Sequence, residues 1–246
     1  MLAATSVAWA LRHLGASAAT VAFVTGAGGS TSSLATSALV VYMFYALAVR
    51  AVYYAGGGAM QAAVERLAPR SGTARAPIAL RRQHRRESEV AFQMYSCVGF
   101  LNEWLHARGL SRACFSLAEC GGPAHALAWT VVWFVLFELG VFLVHWGLLH
   151  RLPFGKTAFN HAKHHAAKRS SEMTVWTGFA FEPIDGTLQG LPLPLSQLLV
   201  PVPYAAVLAV ATTLGLWTMY IHIGEPHLPY PLMGADYHVL HHKYNV

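Results

Sequence analysis

The stretch HALAWTVVWFVLFELGVFLVHWGLLH, residues 125–150, constrains this chain more than any other. It exceeds the roughly 20 residues that a helix needs to cross the hydrocarbon core of a bilayer. Two ionisable side chains, Glu138 and His145, lie inside it. Such groups are costly at that depth and mark functional positions by default. A second stretch, SLATSALVVYMFYALAVRAVYYA (33–55), is also long enough to span, with Arg50 toward its end able to reach the interface.

Composition agrees with a membrane protein. The chain is 55% hydrophobic and 11% charged, with a mean hydropathy of +0.40, whereas a soluble domain carries about 25% charged residues. Arginine dominates the net charge of +6, and seven arginines fall in ERLAPRSGTARAPIALRRQHRRE (65–87). These basic residues flank apolar runs instead of covering a soluble face. Nucleic acid is therefore not expected as a partner, and the segment reads as a solvated basic loop on the cytosolic side. The three cysteines, Cys97, Cys114 and Cys120, have no CxxC spacing. They imply neither a disulfide framework nor a cysteine metal site. Cys114 and Cys120 could pair in a lumenal loop, but the expectation is against it.

Other stretches set the organisation. EVAFQMYSCVGFLNEWLHARGL (89–110) is apolar but interrupted by Asn102, Glu103 and His106, and reads as a weak span or a half-inserted helix. Residues 186–221 are too long for one span and are broken by Pro192, Pro194, Pro201 and Pro203. Proline removes a hydrogen bond and kinks a helix interior. The expectation is a hairpin with arms GTLQGLPLPLSQLLVPV and PYAAVLAVATTLGLWTMYI, entering and leaving on one side. The opening MLAATSVAWALRHLGASAATVAFVTGAGG is open between a targeting segment, a weak span and a membrane-surface helix. The expected fold is an all-α integral membrane protein. It has about four transmembrane helices, including the Pro-broken hairpin, and a cytosolic histidine-rich helical cap holding a di-metal site. Residues 1–86 form the N-terminal membrane segment and basic loop, and 87–246 the main domain.

Ten of the fourteen histidines lie between 145 and 242. His145/His150 and His222/His227 read HX4H; His161/His164/His165 and His238/His241/His242 read HX2HH. On a helix, positions i, i+3 and i+4 share one face, so each triplet could cap a metal ion, the two from opposing helices. Positions i and i+5 lie about 140° apart on a 3.6-residue helix. For His145 and His150, either the helix end distorts or each goes to a different metal, and the second option suits a two-metal site. Ten neutral imidazoles serve two ions of about five ligands each. Imidazole suits zinc, copper, iron and nickel alike. His13, His84, His106 and His125 are scattered and read as structural.

These residues resemble the fatty acid hydroxylase/sterol desaturase superfamily, and within it the plant-type Δ7-sterol C-5(6) desaturases. The likeness runs from about Glu87 to Asn245, through FELGVFLVHWGLLH, FAFEPIDGTLQGLP, LWTMYIH and PLMGADYHVLHH. It implies a non-haem enzyme of the endoplasmic reticulum membrane with two iron ions, held by His145, His150, His161, His164, His165, His222, His227, His238, His241 and His242. It implies O2 as co-substrate, a sterol or other lipid as substrate, and electrons from cytochrome b5 and its NAD(P)H-dependent reductase. The histidine clusters would face the cytosol. The chain departs from the plant pattern in four places. The first pair is HX4H instead of HX3H; His222/His227 has one extra residue; Glu182 stands where a histidine is usual; and the family continues beyond the last triplet. The sequence is therefore expected to be truncated at its C-terminus. A lipid hydroxylase of the same superfamily is the alternative reading, and an inactive member or a membrane metal-binding protein the non-enzyme one.

Glu138 lies seven residues before His145, on nearly the same helix face. It could contact substrate or a histidine, or stay a neutral acid bonded to a neighbouring helix; both readings stay open. Asp185 and Gly186 in PIDG are expected to form a turn after Pro183, without a metal role. Tyr237 either orients His238 or anchors at the interface.

Overall fold

The computed structural model describes residues 31–223 and 234–244, together with Ala8 and Arg12. The described chain is mostly helical. The long helices are α1 (Thr31–Leu67), α2 (Ile78–Ala107) and α3 (Pro123–Phe142), the last running on as a π-helix over Leu143–Arg151. Short helices follow: α4 (Gly155–Ala158), α5 (His161–His164), α6 (Pro183–Gly190) and α7 (Pro192–Ser196). Then come α8 (Tyr204–Ile221) and α9 (Ala235–Tyr244). Among the described residues three helices are long and apolar enough to cross a membrane: Ala38–Leu67, Pro123–Arg151 and Tyr204–Ile221.

Three expectations are corrected. The first arm of the proposed hairpin is not one helix. Pro183 and Pro192 each open a short helix, where a missing N–H is harmless, and Pro201 and Pro203 fall in non-helical backbone. The basic segment is largely helical: only residues 68–77 separate α1 from α2, and Arg81, Arg82, Arg85 and Arg86 lie on α2. Arginine is a good helix former, and a solvated helix face suits its charge as well as a loop does. Finally, Cys114 and Cys120 form a disulfide. Gly121 and Gly122, at φ 84° and 94°, turn the chain immediately after Cys120 with backbone angles that L side chains disfavour.

The chain divides into two compact units. The first comprises Met1–Val49, Tyr95–Val141 and Gly190–Ala211. Here Asn102 and Glu103, two of the polar interruptions of 89–110, are buried and partnered. Tyr45 Oη donates to Glu103 at 2.7 Å and lies 2.8 Å from Tyr204 Oη; Gln197 Nε2 donates to Asn102 Oδ1 at 2.9 Å. A two-residue parallel ladder pairs β1 (Ala113–Cys114) with β2 (Val202–Pro203). The ring of His106 lies 5.4 Å from both Phe115 and Tyr204.

The second unit comprises Arg50–Met94, Phe142–Gln189 and Thr212–Val246. Its core joins Tyr53 of α1, Phe92 of α2 and Phe179, with ring centroids 4.9–5.5 Å apart. His84 is buried and structural, as expected: its Nδ1 lies 2.9 Å from Thr177 Oγ1, while Ser88 Oγ donates to the Trp176 carbonyl at 2.9 Å. These bonds pin the buried run Thr174–Phe179, on which the end of α8 rests.

Candidate metal centre

Nine of the ten cluster histidines are described, and all nine lie in the second unit. His227 lies outside the described residues. The nine gather into two groups. One ring nitrogen from each of His145, His150, His165 and His241 falls within 4.8 Å of the others, and the same holds for His164, His222, His238 and His242. His161 adjoins the first group, its Nε2 lying 3.0 Å from His150 Nε2 and 3.1 Å from His165 Nε2.

Each HX2HH triplet therefore splits between the groups instead of capping one of its own. α5 is a single turn ending at His164, and His165 sits beyond it at φ −78°, ψ 9°. The two adjacent imidazoles leave the backbone in different directions, and their ring planes are 88° apart. On α9, His238 and His242 are at i and i+4 and share the second group, while His241 turns to the first.

His145 and His150 go to one group, not to two. The helix carrying them changes from α to π at Leu143. A π-helix closes its hydrogen bonds between i and i+5, which brings residues five apart onto one side. Their ring centroids are 4.9 Å apart. Distortion of the helix end, not division between metals, is how HX4H works here.

The second ring nitrogens fix which form each imidazole takes. His145 Nδ1 donates to Gln189 Oε1 at 3.0 Å, and His161 Nδ1 to Asp185 Oδ2 at 2.9 Å. His222 Nδ1 donates to the Thr218 carbonyl at 2.7 Å, and His242 Nδ1 to the Ala167 carbonyl at 3.1 Å. With the proton held on Nδ1, each Nε2 presents a lone pair to its group. Burial pushes His222 down to about 3, takes His164 and His238 well below the ordinary imidazole range, and lowers His165 and His242 as well. These rings are neutral at physiological pH, the form that binds metal.

The residues fit a metal ion better than they fit one another. His238 Nε2 lies 2.9 Å from His222 Nε2 and 3.2 Å from His242 Nε2. Both neighbours present lone pairs, and His238 Nε2 has at most one proton. No protonation state satisfies both contacts; a cation between the three does. Two nitrogens about 2.1 Å from one ion are about 3.0 Å apart at a right angle and about 3.4 Å apart at the tetrahedral angle. The closest Nε2–Nε2 spacings, 2.9–3.3 Å, match that range.

The sequence reading missed Asp185 and Gln189. PIDG is not a turn: it opens α6, with Pro183 as first residue and Asp185 in the first turn. Proline followed by an acid is a helix-start signature. Glu138, half-buried on α3, belongs to the first unit. Tyr237 is exposed.

Residues 130–246 match the Fatty acid hydroxylase family. The resemblance to the fatty acid hydroxylase/sterol desaturase superfamily is borne out. The chain is 29% identical over 153 residues to a protein named Delta(7)-sterol-C5(6)-desaturase from Nicotiana tabacum, covering 62% of this chain and 55% of that protein. It is 29% identical over 176 residues to the human protein named Lathosterol oxidase, covering 68% of this chain and 57% of that one. It is 37% identical over 121 residues to the Delta(7)-sterol 5(6)-desaturase of Eremothecium gossypii, covering 48% and 32%. The chain thus spans about half the length, or less, of these curated relatives. No solved structure matches it.

Proposed function

We propose that this chain is a membrane di-iron, O2-dependent sterol desaturase that introduces the C5–C6 double bond into a Δ7-sterol. The observation that carries the reading is the pair of histidine groups, above all the two lone pairs facing His238 Nε2 at 2.9 and 3.2 Å. The likeness to sterol C5(6) desaturases supports the substrate class.

The proposed ligands are His145, His150, His161, His165 and His241 for one ion, and His164, His222, His238 and His242 for the other, with His227 the tenth candidate. Two iron ions would supply, with O2 and two electrons, an oxidant able to take hydrogen from an unactivated C–H bond. The protein's part is orientation and exclusion of water. Gln189, Asp185 and the Thr218 and Ala167 carbonyls hold four rings in place, and buried His161, His164, His165, His222 and His242 keep solvent from the nitrogens. Desaturation consumes two substrate hydrogens, two further protons, two electrons and one O2, and yields two waters. Cytochrome b5 and its NAD(P)H-dependent reductase are the proposed electron source. Residues 87–246 remain the proposed extent of the catalytic domain.

Two observations support an endoplasmic reticulum protein with its histidines toward the cytosol. Pro123–Arg151 is a candidate membrane span, long enough to cross a bilayer. The Cys114–Cys120 disulfide precedes its start, while His145 and His150 lie in its last turns. Disulfides persist in oxidising compartments, which supports a lumenal side for the residues before this span. Charge agrees: fourteen of the seventeen lysines and arginines fall in the second unit, with the histidines.

Expression in a yeast strain lacking its own C-5 desaturase, followed by sterol profiling, tests the reading. Δ5,7-sterols are expected. Hydroxylated lipids would favour the hydroxylase alternative, and no product from a metal-loaded chain would contradict both. In the same assay Glu138→Gln is expected to lower turnover if its carboxyl touches substrate or a histidine. Unchanged product would assign it a purely structural place.

A further inference from the structure

The two histidine groups are oriented by different chemistry. α6 places Asp185 and Gln189 one turn apart, at i and i+4 on the same face. Asp185 is fully buried, and a buried carboxylate is costly unless its oxygens are engaged. Both are. Oδ2 accepts from His161 Nδ1 at 2.9 Å, and Oδ1 accepts from Gln189 Nε2 at 2.8 Å. That second bond turns the Gln189 amide so that Oε1 faces His145 Nδ1 at 3.0 Å. One buried negative charge therefore reaches two imidazoles, directly and through one amide, and both stand with the first group.

The second group has no such backing among the described contacts. His222 and His242 donate to backbone carbonyls, which are neutral. Lysine does not separate the groups, since Lys168 Nζ donates to the His242 carbonyl at 2.8 Å and Lys156 acts on His150 of the first group; the buried carboxylate does. A carboxylate behind an imidazole fixes its tautomer and strengthens it as a ligand.

We infer that the two metal positions are unequal, and that the Asp185–Gln189 clamp makes the position at His145, His150, His161, His165 and His241 the one that binds first and more tightly. Asp185 and Gln189 are positioning residues; neither is offered as a ligand. The inference rests on the metal-binding reading above, but it makes a separate claim about the difference between the positions.

The test uses the purified chain in detergent, loaded with cobalt(II) alone and followed by its visible absorption while a competing chelator is added. The wild type is expected to release two ions in two resolved steps. Asp185→Asn keeps the shape and removes the charge. It is expected to weaken the tighter step by about 10- to 100-fold, the usual effect of losing such a partner, and to leave the weaker step in place. Glu182→Gln removes a part-exposed carboxylate from the same segment, one that pairs with Lys163 at 2.5 Å, and is expected to move neither. If Asp185→Asn does not fold, Gln189→Leu carries the test: it removes the acceptor for His145 and the donor to Asp185 Oδ1, leaves the carboxylate on His161, and is expected to weaken the same step. Two equal steps in the wild type, or a clamp variant that shifts both steps alike or neither, would overturn the inference and leave the metal reading standing. A wild-type chain that takes up no cobalt would overturn the metal reading itself.

Discussion

A His165→Ala chain is expected to fold and enter membranes yet lose sterol product by more than about 100-fold, since even partners behind a ligand are worth 10- to 100-fold. His165 is fully buried, and its Nε2 stands 3.1 Å from that of His161. Its ring is 4.8 Å from His150 and 4.6 Å from His241, and it stacks at 4.4 Å on His242 of the other group. It is thus a member of one group and a wall of the other. Iron per chain, measured beside the sterol profile, checks the prediction. Wild-type iron content in the variant would remove His165 from the ligand set.

The second large effect comes from a residue that binds nothing. Gly178 lies under the end of α8. A Cβ there would sit 2.6 Å from the Thr218 carbonyl oxygen, 3.0 Å from its carbon and 3.0 Å from His222 Nδ1. Two of these atoms are helix backbone and cannot swing aside. That carbonyl is also the acceptor that orients His222, at 2.7 Å. Gly178→Ala is therefore expected to displace the orienting bond, to cost activity about 10- to 100-fold, and to leave about one ion per chain. Full activity and full metal content in Gly178→Ala would show that His222 does not depend on this contact.

Much of the site was legible from residue spacing because imidazole positions on a helix obey simple geometry. HX2HH announces one helical face, and the structure does bring nine of the histidines together. What spacing could not tell is where a helix stops or changes type. α5 is one turn long, so His165 falls outside it and its triplet divides. The π-helix over Leu143–Arg151 has no signature in a 3.6-residue period, yet it joins His145 to His150. Asp185 was read as part of a turn because proline, aspartate and glycine favour turns and helix starts alike. Only the packing of α6 against the histidines decides between them.

Apolar length located Ala38–Leu67, Pro123–Arg151 and Tyr204–Ile221. Of the prolines expected to break 186–221, Pro192 opens α7 and Pro201 and Pro203 fall outside helices, while Pro194 lies within α7. How the pieces between them fold depended on partners far away in sequence, such as the Gln197–Asn102 bond across 95 positions. The Cys114–Cys120 disulfide is likewise invisible in the count, since three cysteines do not say which two approach.

The iron-to-chain ratio of the purified protein, after expression with ample iron, tests the central claim most directly. Two iron ions per chain are the predicted result, one for each histidine group. A folded chain that holds one iron or none under those conditions would contradict the account.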